Sequence, residues 1–347
     1  MTDRTGVAVV GCGFFAQNHL HAWQDLGRQG AELIAVCDID AEKAKAAADK
    51  FNVPRWYARL DDLLAAERPD IIDIVTRVES HKDQALNTIA HGVPTIVQKP
   101  FAPTLADCRE IVLAARRAGV FLAVHENFRF QQPLRRIAEL VNEGVVGAPT
   151  WCRVSFRTDY DIYRGQPYLL KEPRFVISDL GVHVCDLARV YLGEVERVTA
   201  ETQRRNPAVL GEDTATMMLR HVGGAVSVVE CTYGAHRVPD VFPQTLIELE
   251  GTKGSVILQA DYRLEITSNG VVRTEHSEPE LLPWAQPPWH VLQESVVATC
   301  SEILNALRQG RPAQTSGADN FRTFAVCEAA YESATTGKAV HPQLIEG

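Results

Sequence analysis

The stretch Val7-Ala8-Val9-Val10-Gly11-Cys12-Gly13-Phe14-Phe15-Ala16 decides how the chain begins to fold. The short apolar run predicts a buried strand, the glycines predict a tight turn, and the amphipathic sequence after them predicts a helix. Gly11 permits the turn, Gly13 lets a ligand approach the backbone, and Ala16 allows close packing of helix on strand. A glycine loop in this context is typical of a dinucleotide-binding fingerprint, and the alternative is an ordinary glycine-rich turn.

The same alternation of short apolar runs and longer amphipathic runs continues over the first third of the chain. The predicted strands are 7–10, 33–37, 71–75, 95–97 and 121–124, and the predicted helices are 15–26, 41–51, 60–66, 81–91 and 105–118. Thr104 and Asp107 form a capping box for the last of these helices, and Gly119 ends it. Alternating strands and helices predict a parallel sheet covered on both faces. Residues 1–125 are therefore expected to form a doubly wound α/β domain of the Rossmann type.

The pattern changes after residue 125. A helix is predicted from Pro133 to Gly144, another over 179–192, and two more over 291–308 and 320–336. Strands are predicted at 151–157, 195–202, 213–220, 225–233, 245–250 and 255–258. Consecutive strands without helices between them predict a largely antiparallel sheet. Residues 126–347 are therefore expected to form an α+β domain.

The composition is that of an acidic globular protein. The 347 residues include 35 basic and 44 acidic side chains, for a net charge of −9, and 46% are hydrophobic. This length suggests about two domains, with enough apolar residues for a core in each. The acidic balance argues against nucleic acid and against an anionic membrane as partners.

The eight cysteines are scattered singly, which predicts reduced thiols and no metal site. Met1 to Thr5 leave no room for a signal peptide before the first strand. Apolar runs also stay well short of the length that spans a bilayer. The expected location is the cytoplasm.

Asp38 ends the second predicted strand, 25 positions after Gly13. An acid at this place accepts hydrogen bonds from the adenosine ribose hydroxyls and repels a 2′-phosphate, so NAD is favoured over NADP. The alternative is that Asp38 only caps the helix beginning near Ala41, although Asp40 could serve that purpose instead.

Two further groups could carry chemistry. Lys99 leaves a hydrophobic strand at the carboxyl edge of the sheet, where ligands bind in open α/β folds; a solvated strand end is the alternative. Asp179, His183 and Asp186 are spaced i, i+4 and i+7, which predicts one helix face with an imidazole between two carboxylates. His183 could be a general base with an acid to orient it, and a structural role for this group is equally open.

Together these elements resemble the Gfo/Idh/MocA family of sugar and cyclitol dehydrogenases over essentially the whole chain. The matching pieces are the loop 11–16, Asp38, Lys99-Pro100 in the place of the family's Glu-Lys-Pro, and the Asp179-x-x-x-His183 helix. The stretch 125–130 looks like a subgroup that includes D-apiose dehydrogenases.

The resemblance implies that NAD is the cofactor and that Lys99, Asp179 and His183 face the substrate as catalytic residues. It also implies an open-faced second sheet that often mediates oligomerisation, hence a homodimer or homotetramer. The residues expected to bind the cofactor are Gly11, Gly13, Phe14, Phe15, Asp38, Thr76, His81, Gln98 and Lys99. Two departures from the family pattern, Gln98 for glutamate and Thr76-Arg77 for Thr-Pro, concern cofactor contacts rather than proton transfer.

The residues expected to bind the substrate are Lys99, Arg129, Arg157, Tyr163, Asp179 and His183. Arg129 could clamp a polyol or a carboxylate, or it could form an interdomain salt bridge. The tyrosine-containing loop near Tyr163 could supply hydroxyl contacts, or its rings could simply pack. Trp289 and His290 form an aromatic patch for which a core or interface role is favoured, and His81 is expected to cap its helix.

The leading hypothesis is an NAD-dependent dehydrogenase that oxidises a hydroxyl of a small sugar or polyol, aldose to lactone or cyclitol to ketone. His183 would take the hydroxyl proton, Asp179 would orient the imidazole, and Lys99 would stabilise the developing oxyanion. One alternative is a glycosidase that uses bound NAD transiently. Another is a non-catalytic NAD-dependent sensor, since a fold alone does not fix a function.

Overall fold

The structure, a computed structural model, describes residues 4–345. Met1 to Asp3, on which the expectation of no signal peptide rests, lie outside the described residues, as do Glu346 and Gly347. Within the described range, no helix combines the length and the apolar character needed to cross a membrane.

The chain divides into two compact units. The first contains residues 4–127 and 296–321, and the second contains residues 128–295 and 322–345. The predicted domain boundary after residue 125 stays a prediction. The compact units differ from it in two respects, because residues 126–127 and 296–321, both expected in the second domain, belong to the first unit.

The first unit contains a six-stranded parallel sheet in the order β3-β2-β1-β4-β5-β6. Its strands are β1 (Thr5–Val10), β2 (Ala31–Cys37), β3 (Trp56–Tyr57), β4 (Ile71–Ile74), β5 (Thr95–Gln98) and β6 (Leu122–His125). Its helices from this part of the chain are α1 (Ala16–Asp25), α2 (Ala41–Phe51), α3 (Leu60–Ala66), α4 (His81–Ala90) and α5 (Leu105–Ala118). The predicted doubly wound α/β domain is confirmed, and only the two-residue strand β3 was not anticipated.

The local signals at the ends of helix α5 act as expected. The Thr104 hydroxyl oxygen accepts a hydrogen bond from the backbone N–H of Asp107 at 3.1 Å. Gly119 ends the helix in the left-handed region at φ 65°, which glycine adopts without strain.

The second unit contains an eight-stranded sheet in the order β14-β13-β12-β11-β7-β10-β9-β8. Its strands are β7 (Pro149–Arg157), β8 (Val195–Gln203), β9 (Thr214–His221), β10 (Val226–Thr232), β11 (Leu246–Gly251), β12 (Gly254–Leu258), β13 (Arg263–Ser268) and β14 (Val271–His276). Only the β7–β10 pair is parallel, so the expected largely antiparallel sheet is confirmed. The hairpin of β13 and β14 was not predicted.

One face of this sheet packs against helices and the other is open. The later helices of the chain are α6 (Gln132–Asn142), α7 (Val182–Leu192), α8 (His290–Arg308) and α9 (Gly317–Thr336). Cys152, Val154 and Phe156 of β7 are buried in one core with residues of α6 and α7. Between them, Arg153 points to the opposite face, and Met218 on that face is 52% exposed.

The helix predicted from Asp179 to Leu192 does not run as one α-helix. Ile177–Gly181 form a π-helical turn, and α7 begins only at Val182. The Glu212 carboxylate accepts the backbone N–H groups of Phe175 and Ile177, both at 3.1 Å, at the start of this turn. The predicted start at Asp179 therefore lies in a π-helical turn, and the shared face of Asp179, His183 and Asp186 stays a prediction.

Helix α8 explains why 296–321 belongs to the first unit. Val296, Cys300, Ile303 and Leu304 are fully buried in the same hydrophobic core as residues of β1 and α1. Burying an apolar side chain stabilises the fold by about 1.5 to 3 kcal/mol. All eight cysteines of the chain are free and buried, as expected.

Candidate active site

The glycine loop after β1 leaves room for a ligand at Gly13. A Cβ atom at Gly11 (φ +98°) would lie 2.4 Å from the Val75 carbonyl oxygen, so only glycine fits there. At Gly13, a Cβ atom would meet no described atom of the chain within 4 Å. The N-cap residue of α1, Phe15, makes no side-chain capping hydrogen bond. The loop thus presents open space before a helix N-terminus, which suits phosphate groups.

Asp38 is held beside this loop. Its Oδ2 accepts the backbone N–H of Cys12 at 2.7 Å, and its Oδ1 accepts that of Asp40 at 2.9 Å. Asp40, not Asp38, caps α2 by accepting N–H groups of the first turn. The helix-cap alternative for Asp38 is therefore wrong. Each carboxylate oxygen keeps a lone pair for a further donor.

The loops after β4 and β5 are tied together by His81. Its Nδ1 lies 3.0 Å from the Pro100 carbonyl oxygen and its Nε2 lies 3.1 Å from the Thr76 carbonyl oxygen. Burial lowers the pKa of His81. The expectation that the His81 side chain caps its helix is wrong, because the ring bridges two loops instead. The Thr76 hydroxyl donates to Gln84 at 2.9 Å.

The predicted cofactor residues thus stand along one edge of the first unit's sheet. Phe14 in the glycine loop is 68% exposed, whereas Phe15 is half-buried. Gln98 is the last residue of β5, and its Oε1 accepts the backbone N–H of Lys99 at 2.6 Å. The carboxyl ends of parallel strands meet at this edge, which is where open α/β folds bind ligands.

In the second unit, Asp179 is held by a tyrosine that sequence reasoning missed. The Tyr233 hydroxyl donates to Asp179 Oδ2 at 2.9 Å. Burial, followed by the nearby Asp179 carboxylate, raises the pKa of Tyr233 well above its ordinary value, so the hydroxyl keeps its proton. Tyr233 directly follows β10, and an aromatic residue at a strand end was the available signal.

His183 is held by a second residue that sequence reasoning missed, Phe128. The two rings are stacked, and both residues are nearly fully buried. Phe128 lies within the stretch 125–130 that the sequence had singled out, but as part of a subgroup pattern rather than as a contact of His183.

Both predicted substrate-binding arginines are engaged in ion pairs. The Arg129 Nε donates to Asp186 Oδ2 at 2.7 Å, and a second guanidinium nitrogen contacts the other carboxylate oxygen. This pair lies within the second unit, so it is not the interdomain salt bridge considered for Arg129. A guanidinium nitrogen of Arg157 lies 3.2 Å from Glu230 Oε2. Substrate binding by either arginine stays a prediction.

A cavity of about 350 Å³ lies in the second unit. Its lining includes Tyr163, Tyr233, Arg205 and His236, together with Asp159 and Asp161. Because Tyr233 also holds Asp179, the cavity wall is joined to the predicted catalytic carboxylate. Tyr163, predicted to bind substrate, lines the same space.

The aromatic patch at the end of the second unit packs on itself. Trp289 meets Phe242 and Tyr160 edge to face, with ring centroids 4.9 and 5.6 Å apart. His290 Nε2 lies 3.1 Å from Glu278. These are packing contacts of a half-buried Trp289 and a buried His290, and the favoured core or interface role stays a prediction.

The predicted site residues therefore fall into two groups. The glycine loop, Asp38, Thr76, His81, Gln98 and Lys99 belong to the first unit, and Arg129, Arg157, Tyr163, Asp179 and His183 belong to the second. Within the second unit, the structure brings Asp179 and Tyr163 to the surroundings of Tyr233, and it places Arg129 on Asp186.

Comparison with known protein families decides what this scaffold is. The oxidoreductase family with an NAD-binding Rossmann fold matches residues 5–126, and the GFO/IDH/MocA C-terminal domain matches residues 134–257. The chain belongs to the Gfo/Idh/MocA family. The resemblance inferred from the sequence motifs is confirmed, and so is the expected NAD-dependent oxidoreductase class acting on CH–OH groups.

Two relatives indicate the subgroup of this Gfo/Idh/MocA protein. The chain is 45% identical over 339 residues to a D-apiose dehydrogenase of Paraburkholderia graminis, which covers 98% of this chain and 90% of the relative. It is 44% identical over 340 residues to a D-apiose dehydrogenase of Rhizobium rhizogenes, covering 98% of each. The expected D-apiose dehydrogenase-like subgroup is confirmed.

A solved structure has the same fold and a sequence identity similar to that of the two relatives. An oxidoreductase from Agrobacterium radiobacter, in complex with NAD⁺, L-tartaric acid and magnesium, superposes with a TM-score of 0.95 at 43% identity, covering 97% of this chain and 98% of that one. The open space at Gly13 and the Asp38 carboxylate fit NAD, which is the cofactor of this family member.

Proposed function

We propose that this enzyme oxidises a hydroxyl-bearing carbon of a small sugar, with an aldose such as D-apiose as the first candidate. Two relatives that match 98% of this chain, at 45% and 44% identity, are D-apiose dehydrogenases. In such a reaction an aldose in its ring form loses a hydride and a proton at its anomeric position and becomes a lactone. When bound, NAD supplies the hydride acceptor.

The main structural support for a sugar substrate is the polar cavity. Its lining residue Tyr233 donates a hydrogen bond to Asp179. Hydroxyl, carboxylate, guanidinium and imidazole groups line it, and such groups hydrogen-bond a molecule with several hydroxyls. Its volume of about 350 Å³ lies at the small end of the range for ligand pockets. We infer that Tyr163 and Arg205 contact the sugar hydroxyls away from the reacting carbon.

Proton removal is assigned to His183, whose ordinary pKa suits a general base at neutral pH. The parallel ring of Phe128 keeps the imidazole plane fixed. Asp179 orients His183, and Tyr233 in turn holds the Asp179 carboxylate. Lys99 donates a hydrogen bond to the reacting oxygen while negative charge develops on that oxygen. A cation already held in position stabilises this charge without having to reorient during the reaction.

The self-association expected from the sequence is also part of the proposal. The open face of the second sheet carries Met218, which is 52% exposed, beside the arginine and glutamate side chains of β7 and β10. A mixed apolar and charged face of this kind is typical of a protein interface.

The direct test is a substrate screen with purified enzyme and NAD, followed by NADH absorbance. D-apiose, other aldoses, cyclitols and sugar acids are compared, and the product of the best substrate is identified by NMR. Continuous NADH formation with a lactone product is expected for an aldose. Glycoside cleavage without net NADH would instead support the NAD-using glycosidase. NAD binding without turnover on any of these substrates would support the sensor.

A further inference from the structure

A chain of hydrogen bonds runs through the core of the first unit to the backbone of Lys99. The indole N–H of Trp23 and the Nδ1 of His19 each lie 2.8 Å from Oδ2 of Asp73. The Nε2 of His19 lies 2.9 Å from the side-chain nitrogen of Gln98, whose Oε1 accepts the backbone N–H of Lys99. Trp23, His19 and Asp73 are completely buried, and Gln98 is 6% exposed.

The backbone N–H of Lys99 determines which group donates and which accepts in each hydrogen bond from Lys99 to Asp73. A backbone N–H can only donate, so the oxygen of the Gln98 amide faces Lys99 and its NH₂ group faces His19. An amide NH₂ group also only donates, so Nε2 of His19 must accept. The imidazole proton is therefore on Nδ1, and it is donated to Asp73. The chain defines His19 as the neutral Nδ1–H tautomer.

Asp73 is the fixed acceptor at the other end. Burial alone would raise the pKa of its carboxyl, whereas the hydrogen bonds that the carboxylate accepts from His19 and Trp23 lower it. The carboxylate consequently remains able to accept both donors.

A metal ion is the other arrangement that these residues suggest, because His19, His125 and Cys300 have ligand atoms within 4.8 Å of one another. The Nε2 lone pair of His19 is already engaged by Gln98. The rings of His19 and His125 are tilted by 42°, with centroids 4.1 Å apart. The contacts therefore favour a hydrogen-bonded network.

We propose that Gln98 and His19 are positioning residues for Lys99, and this rests on the proposed function in which Lys99 serves the reacting oxygen. Gln98 is the last residue of β5, so Lys99 is the first residue beyond the strand. The hydrogen bond from its N–H to the Gln98 side chain holds the peptide there. His19 and Asp73 fix the Gln98 amide, so the backbone from which the lysine side chain leaves has one defined orientation.

The kinetic test is a double-mutant cycle of Gln98→Met and Lys99→Met on the best substrate. Methionine has similar length but makes neither hydrogen bond. Gln98→Met is expected to lower kcat about 10- to 100-fold, the scale of a small misplacement of a reacting group. In the Lys99→Met background the same change is expected to cause no further loss. An equal loss in both backgrounds would overturn the proposal.

Thr95→Val is the matched control. Thr95 starts the same strand, is fully buried, and its hydroxyl lies 2.8 Å from that of Thr88 at the end of the strand away from Lys99. This variant is expected to lower Tm, as Gln98→Met does, and to keep kcat. If both variants lower kcat equally, Gln98 is only structural.

A second measurement does not depend on the role of Lys99. In the full-length protein labelled with ¹⁵N-histidine, long-range ¹H–¹⁵N spectra are expected to show His19, assigned from a His19→Gln variant, as the neutral Nδ1–H tautomer. In Gln98→Glu the carboxylate needs a donor, so both nitrogens of His19 are expected to be protonated. A Nε2–H tautomer in the unmodified protein, or bound zinc that is lost in Cys300→Ser, would contradict the network. If Lys99→Met keeps full turnover, the proposed role of Lys99 fails whatever the tautomer is.

Discussion

The phenyl ring of Phe128 lies parallel to the imidazole of His183, with ring centroids 3.7 Å apart and planes within 4°. A buried parallel contact of this kind restricts rotation of the imidazole about its side-chain bonds. A fixed imidazole plane is what the proposed role of His183 as a general base requires.

Replacing Phe128 by Leu removes this parallel surface and is expected to lower kcat by about tenfold or more, through misplacement of the base. Cofactor affinity should not change. Phe130→Leu is the control, because Phe130 lies in the same 3₁₀ turn and is equally buried. Steady-state kinetics and NAD titration by fluorescence check both variants, and equal losses of kcat in the two would contradict a specific role for Phe128.

Asp38 sets the preference for NAD over NADP in our proposal. Asp38→Ser removes the negative charge that repels a 2′-phosphate, and it is expected to narrow or reverse the ratio of the two dissociation constants. Asp40→Ala removes the α2 cap instead. It should lower stability by about 0.5 to 2 kcal/mol and leave the cofactor ratio unchanged. Equal affinities of the unmodified enzyme for NAD and NADP would show that Asp38 does not contact the ribose.

The two loop glycines are expected to respond differently to alanine. Gly11→Ala forces a Cβ atom against the Val75 carbonyl and is expected to destabilise the protein by about 1 to 3 kcal/mol. Gly13→Ala meets no described atom and is expected to keep Tm but lose NAD affinity. Thermal unfolding and NAD titration distinguish the two effects. Unchanged NAD affinity in Gly13→Ala would mean that the cofactor does not approach this glycine.

Lys99 and His183 are expected to be needed for chemistry rather than for cofactor binding. Lys99→Met should lower turnover about 10²- to 10³-fold, and His183→Asn about 10²- to 10⁴-fold. In the proposed mechanism both residues act on one oxygen, so the double variant should lose less than the product of the two single losses. Near-normal turnover of either single variant on the identified substrate would show that this residue is structural.

Self-association is expected in solution. Light scattering at micromolar concentration should give the mass of a dimer or tetramer of the 38.3 kDa chain. Met218→Lys on the open sheet face should shift that mass downward, since it places a charge in the expected interface. A mass of one chain for the unmodified protein would contradict the expectation.

Much of the fold could be predicted because its signals are local. The strand and helix alternation up to residue 125, the Thr104 cap and the glycine loop all depend on neighbouring residues. The hairpin of β13 and β14 was missed because β14 is exposed at nearly every position, so it has no apolar alternation to detect.

The contacts of the candidate site residues could not be predicted from the sequence. Which partner each side chain has depends on residues far apart in sequence, as in Arg129 with Asp186 or Tyr233 with Asp179. The π-helical turn before α7 depends on the distant Glu212 carboxylate. Periodicity along the chain contains no information about such partners.

The contribution of α8 and α9 to the cores has a consequence for synthesis on the ribosome. Residues of α8 complete the core of the first unit, and Val326, Cys327 and Ala330 of α9 belong to the core of the second. A nascent chain that has reached residue 280 therefore contains every described strand of both sheets but lacks the helices that complete the two hydrophobic cores. Its exposed apolar surface is a target for chaperones until the last helices emerge. For the same reason, a premature stop codon near residue 290 would remove core residues from both units rather than yield a cofactor-binding fragment.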